Sequence, residues 1–176
     1  TITADGIEEL IISGGNIEKY NITNTTKLTI AGIEVSGLIT TTVKELYLTN
    51  TKISDSEITN AEYIETTGNI ENVTFTNNGK IISKNNNITK TVFDNAPIEI
   101  YNTKLFNNTI KNAEIGITIK EAEDEDSVYI MKNTFKGNTT DIKSEVTREI
   151  NAQYNYFAEG EAKTEGTIDT TNSLAE

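Results

Sequence analysis

Apolar residues recur along the chain at a step of 18. Leu10, Leu28, Leu46, Ile64, Ile82 and Ile100 fall on that step without a gap, and two residues further on Ile12, Ile30 and Leu48 repeat it. Apolar positions two apart mark a strand with one buried face. A second column reads Ile17, Val35, Ile53, then Ile70 and Ile88 after a slip of one, and a third reads Ile22, Ile39, Ile58, Phe75, Phe93 and Ile110. Each period thus carries three short inward-facing strands, and a fixed period of this length signals a solenoid. The pattern predicts an all-β fold, a single-stranded parallel β-helix of seven to eight coils of about 18 residues, with three short strands per coil. Like residues should stack ~4.8 Å apart along the axis. A right-handed coil is expected, because parallel crossovers are nearly always right-handed. The unequal sides also lack the strict six-residue step of left-handed hexapeptide helices.

Polar positions keep the same phase. Gly14, Gly32, Asn50, Gly68 and Asn86 form a column suited to a corner with positive φ, which Gly and Asn adopt cheaply. Asn24, Thr42, Asn60, Asn78, Asn95 and Asn112 form another, read as an asparagine ladder with amides bonded along the axis. From Asn112 to its next equivalent, Asn138, is 26 residues, which predicts a corner insertion near 120–127 holding the acidic run Glu121 to Asp126. Strands resume with Val128, Ile130, Phe135 and Ile142, and a last coil uses Val146, Ile150, Tyr154 and Phe157. The solenoid is therefore expected over 1–159. Residues 160–176 lack periodicity and read as a C-terminal tail or linker, with Thr167 to Thr171 offering an added strand.

Composition narrows the chemistry. With 15 basic and 27 acidic residues the net charge is −12, which opposes nucleic acid as a partner. There is no Cys and no His, and Arg148 is the one arginine, so the usual general base and the usual metal ligands are missing. No apolar run is long enough for membrane insertion. The chain starts Thr-Ile-Thr, as a processed protein or an excised domain would. An enzyme is not expected. Glu9, Lys27 and Glu45 read as alternating surface charges rather than a catalytic pair. Glu123, Asp124 and Asp126 in the acidic loop are weak candidates for calcium, lacking a fixed ligand spacing; no other cofactor is implied. Outward Tyr47 and Tyr101 are scattered aromatics, and Thr23, Thr41, Thr59 and Thr76 make one short threonine file, too narrow for an ice-binding face. Tyr129, Tyr154, Tyr156 and Phe157 concentrate aromatic residues near the C-terminal end and are the candidate interface. Glycosylation is permitted by six sequons, at Asn21, Asn24, Asn72, Asn87, Asn107 and Asn138.

Four segments carry a family resemblance. Val-Thr-Phe-Thr-Asn-Asn (73–78), Asn-Thr-Ile-Lys-Asn (108–112) and Asn-Thr-Phe-Lys-Gly-Asn (133–138) resemble the N-x-F/I-x-x-N coils of right-handed parallel β-helix surface proteins. Asn151-Ala-Gln-Tyr-Asn155-Tyr-Phe-Ala-Glu-Gly160 is similar to the closing segment of adhesin-like proteins of methanogenic archaea, with Phe157 where a tryptophan is usual. The resemblance implies a secreted, cell-surface role and brings no catalytic residues. The expected function is a non-catalytic structural or adhesive module of the cell envelope: an adhesin, surface-layer or filament subunit. Its partners would be copies of itself or other envelope proteins. A glycan-binding or polysaccharide-cleaving β-helix stands as the alternative.

Overall fold

The computed structural model describes residues 2–15 and 19–174. All regular structure among them is strand, and every strand pairing is parallel. Partners lie one coil apart in sequence, so the chain winds as a parallel β-solenoid. One inward column counts the coils. Ala4, Ile22, Thr40, Ile58, Phe75, Phe93, Ile110, Phe135 and Phe157 face one another in register, which makes about nine turns rather than seven to eight. The additional rung is the N-terminal one, where Ala4 of Ile2–Asp5 stacks on Ile22; stacking also continues past residue 159. Thr164 pairs with Ile142, Ile168 with Ile150, and Leu174 bridges Tyr156.

The core is a stack of aliphatic and aromatic rungs. Leu28, Ile30, Leu46, Leu48, Ile53, Ile64, Ile70, Ile88, Leu105, Ile117 and Ile130 are fully buried, each worth about 1.5–3 kcal/mol against exposure. Phe75 stacks on Phe93 at 5.1 Å and 6°, and Phe135 on Phe157 at 5.1 Å and 14°. Identical residues one coil apart permit this parallel offset packing.

Three files of left-handed residues turn the corners. Gly6, Asn24, Thr42, Asn60, Asn77, Asn95, Asn112 and Gly137 form one, with φ between +49° and +69°. Two of them, Asn24 and Thr42, lie inside the twelve-residue strands Tyr20–Ala31 and Leu38–Thr49, which therefore bend around a corner. A second file contains Gly14, Gly32, Asn50, Asn85 and Asn102, and a third Gly37, Asp55, Asn72, Lys90, Asn107, Lys132 and Tyr154.

The structure corrects the sequence phase at four places, and Ile17 lies outside the described residues. Ile64 pairs with Ile81, not Ile82, and Ile81 pairs with Ile98. Both of these coils are one residue short, so Ile100 joins the neighbouring column Ile12, Ile30, Leu48, Thr66, Ser83. Ile39 points outward at 46% exposure, and Thr40 takes the inward place. Asn78 of the expected ladder and Asn86 of the expected positive-φ column are buried, and Asn77 and Asn85 turn the chain instead. The insertion leaves the stack after Ile115–Glu121, where a bulge opposite Ile100 and Tyr101 loosens the pairing, and rejoins it at Ile130–Met131.

Candidate functional site

Seven lysines pair with carboxylates of a neighbouring coil. Lys27 meets Glu9 at 2.9 Å, Lys84 meets Glu65 at 2.7 Å, Lys90 meets Glu71 at 2.8 Å and Lys111 meets Asp94 at 3.0 Å. Lys80–Glu99 at 3.0 Å, Lys120–Glu145 at 2.7 Å and Lys143–Glu165 at 3.1 Å continue the pattern along the rod. The corner carboxylates are held the same way. Asp5, Asp55 and Asp94 each accept from an asparagine amide of the next coil: Asn24 at 2.8 Å, Asn72 at 2.7 Å and Asn112 at 2.7 Å. Hydrogen bonds to the charged form pull these three carboxyls below their ordinary range, from Thr23 and then Asn24 at Asp5, from Asn72 at Asp55, and from Asn112 at Asp94.

The first face carries the densest chemistry. Tyr47 and Tyr63 lie on adjacent coils with ring centroids 5.8 Å apart and planes tilted 51°. Each hydroxyl donates to a glutamate, Tyr47 to Glu45 at 3.2 Å and Tyr63 to Glu65 at 2.8 Å. Burial, then the Glu65 acceptor, pushes the Tyr63 hydroxyl up to about 12. Lys84 and Tyr63 hold Glu65 below its usual range. Lys27 and Lys84 lie over the rings of Tyr47 and Tyr101, 5.8 Å and 5.9 Å from their centroids. Tyr101 pairs with Lys84, and so belongs to a different column from Tyr47. Glu45 and Glu65 are both engaged, and the Tyr47 and Tyr101 rings are overlaid, so this face offers neither a carboxylate pair with a vacant base nor a flat stacking platform.

Glu123, Asp124 and Asp126 do not converge. Asp124 Oδ1 accepts the Asp126 N–H at 3.0 Å, Glu123 N–H donates to Asn102 Oδ1 at 2.8 Å, and Ser127 Oγ donates to the Asp124 carbonyl at 2.8 Å. Two of these bonds lie within the loop and one ties it to Asn102, and no acidic cluster among the described residues has the geometry to hold a metal. Beside it is a depression of about 430 Å³ lined by Glu125, Asp126, Arg148, Glu149, Asn151 and Asp169. Arg148 Nη1 is buried there, without a hydrogen-bond partner among the described residues.

The four candidate interface aromatics sit in different surroundings. Phe157 is a core residue, 4% exposed against Phe135, which corrects its assignment to a surface. Tyr129 is half-buried under Lys104, whose Nζ lies 5.0 Å from the ring centroid. Tyr154 occupies a corner at φ +57° and is 40% exposed, and Tyr156 is half-buried beside Leu174. Among the sequons, Asn138 is buried, whereas Asn21, Asn24, Asn72, Asn87 and Asn107 are exposed. Thr23, Thr41, Thr59 and Thr76 stand in register as one file, bounded by Asp5 and Asp94.

Sequence reasoning placed the polar stacking at the corner, where Asn95 donates to Asn77 at 3.1 Å. It missed a set of asparagines inside the core. Asn108 Nδ2 donates to Asn133 Oδ1 at 3.0 Å, and Asn133 Nδ2 to Asn155 Oδ1 at 3.1 Å. The same oxygens accept backbone N–H groups of the preceding coil, Asn108 at 2.9 Å and Asn133 at 2.8 Å. The signal was local: each of these asparagines stands two residues before an inward residue of the Phe column, Ile110, Phe135 or Phe157.

No family model, no curated protein and no solved structure matches the chain.

Proposed function

We propose that this domain is a non-catalytic structural or adhesive module of the cell surface, secreted and acting through contacts with copies of itself or with other envelope proteins. The resemblance to adhesin-like β-helix proteins of methanogenic archaea motivates the setting. One observation carries the reading: the side-chain ion pairs and the corner and core asparagine bonds run from one coil to the next. Seven lysine–carboxylate pairs, three Asp–Asn corner bonds and the buried asparagines all run along the axis. A surface built this way holds a rod of about 40 Å rigid and leaves few groups to converge on a reacting atom. The chain is expected to turn over no polysaccharide. Release of reducing ends from any glycan by pure protein, lost on replacing one carboxylate, would overturn the reading. Light scattering and negative-stain microscopy over a range of concentrations test the contact role directly.

A second reading, a glycan-binding module, is favoured by the depression beside the acidic loop. Arg148, Asn151 and four carboxylates supply planar donors and acceptors of the kind that grip sugar hydroxyls. A glycan array probed with wild-type protein and Arg148→Ala separates the two.

A further inference from the structure

Asp141 carries a carboxylate into the core, the one such residue among those described as buried. Its Oδ1 accepts the Asn138 side-chain amide at 3.0 Å, and its Oδ2 accepts the Lys163 backbone N–H at 3.0 Å. Asn138 is 2% exposed. Its Oδ1 accepts the Ala113 N–H at 3.0 Å, and its Nδ2 also donates to the Ile110 carbonyl at 3.0 Å. From the next coil, Lys163 Nζ donates to the main-chain carbonyl of the same Asn138 at 2.8 Å. Its nearest carboxylate, Glu159, is further away at 4.0 Å. A carboxyl, a carboxamide and a primary amine therefore meet around one residue. Coil stacking alone does not require this. Asn78 makes the same two backbone bonds, to the Ala61 N–H at 2.8 Å and the Ile58 carbonyl at 3.0 Å, and three residues on from it stands Ile81 rather than an acid.

We propose that the Lys163 amine forms an amide bond with the Asn138 side chain, a cross-link between neighbouring coils that the chain makes by itself. The cross-link is independent of what the domain contacts. Nζ attacks Cγ; the Nζ–Cγ bond forms, the Cγ–Nδ2 bond breaks, and Nδ2 leaves as ammonium. Two protons pass from the lysine ammonium to the leaving nitrogen, and Asp141, 3.0 Å from Nδ2, is placed to carry them. Burial raises the Asp141 carboxyl above its ordinary range, against the pull of the Lys163 N–H and the Asn138 amide, which suits a group that must hold a proton and hand it on. The Ala113 N–H on Asn138 Oδ1 faces the oxygen where negative charge develops. Holding the amine beside the amide replaces a bimolecular encounter with a local one. The Lys163 side chain is 42% exposed, so the released ammonium has a way out to solvent.

The intact mass of the purified full chain, kept folded at neutral pH, reads the reaction directly. One lost ammonia is expected, about 17 Da below the mass of the sequence. After proteolysis the segment holding Asn138 should travel with the segment holding Lys163 as one branched peptide. Lys163→Arg, at an exposed position, removes the nucleophile and should restore the full mass. Asp141→Asn should slow the linkage by about a hundredfold or more; if that variant loses its thermal transition, Lys163→Arg carries the test alone. Wild type at full mass overturns the proposal. So does a loss of the same size that Lys163→Arg keeps or that maps to separate peptides, because an asparagine closing on its own backbone also sheds ammonia. A folded Asp141→Asn that links as fully as the wild type overturns it as well.

Discussion

At Gly68 the backbone runs at φ +140°, and an added Cβ would come within 2.3 Å of the Thr51 carbonyl oxygen. Gly32 also has positive φ, +67°, but a Cβ there would meet open space. The two glycines therefore carry different constraints. Gly32→Ala strains the backbone alone and is expected to cost about 1 kcal/mol. Gly68→Ala adds a clash with main chain that cannot swing away, and should cost several times that, about 3 kcal/mol or more; chemical denaturation of both variants measures the difference. Asp141 is the buried carboxylate among the described residues. It accepts the Asn138 side-chain amide at 3.0 Å and the Lys163 N–H at 3.0 Å. Burial nevertheless outweighs those bonds and raises its carboxyl above 3.8. A raised folded value means the protonated form is favoured in the fold, so stability is lost as pH rises through the window just above 3.8. Asp5, Asp55 and Asp94 run oppositely: their lowered values add stability above 3.8 that is lost on acidification. Relative to Asp141→Asn, the wild type should therefore lose stability as pH rises from about 3 to 6, read from thermal midpoints across that range.

At the scale of a coil, the interior asparagines do what no apolar residue in their place could. Each accepts a backbone N–H from the coil before it and donates to a carbonyl of that same preceding coil, as Asn133 does to Leu105 at 3.1 Å. Asn133→Ala would strand the Asn108 N–H and the Leu105 carbonyl in the core, at about 2–4 kcal/mol for two unmet buried groups. Asn95→Ala, at an exposed corner, should cost well under 1 kcal/mol apart from the φ +49° it must keep; the gap between the two is the measurable quantity. The same coils show how far the sequence could be read. Period, parallel stacking and the columns from Leu10 to Ile64 were legible because apolar and polar residues alternate cleanly there. The phase failed where neighbours are chemically alike. Ile81-Ile82 offers two equal candidates for one inward place, and Asn77-Asn78 and Asn85-Asn86-Asn87 offer several for one corner. Thr40 was hidden for another reason: a threonine 1% exposed among isoleucines reads as a surface residue until its neighbours are known. The candidate site was less legible still. Carboxylates 18 residues apart look alike whether they await a ligand or a lysine, and side-chain pairing decides which.

For the whole molecule, the C-terminal coil and the insertion make opposite predictions. Residues 160–174 cover Ile142 and Ile150 and place Lys163 Nζ on the Asn138 carbonyl at 2.8 Å. Deleting 161–176 should lower the thermal midpoint by several degrees, since about 1 kcal/mol moves it by 2–4 °C at this size. Replacing the exposed loop residues 123–126 with a short glycine link should leave it nearly unchanged, as calorimetry of the two deletions would reveal. Because each coil touches only the coils beside it, the stack has one further property, a mechanical one. Force applied at the chain ends acts on a pile of separable rungs rather than on a single knot of contacts. Each released coil would feed out about 60 Å of chain, and the remaining pile would present a fresh edge like the one just lost. Stretched in an optical trap, the domain should lengthen as a staircase and take up shock in instalments. The buried asparagine triplet should hold the last steps at the highest load, and a single rip to full length would show that the coils yield together.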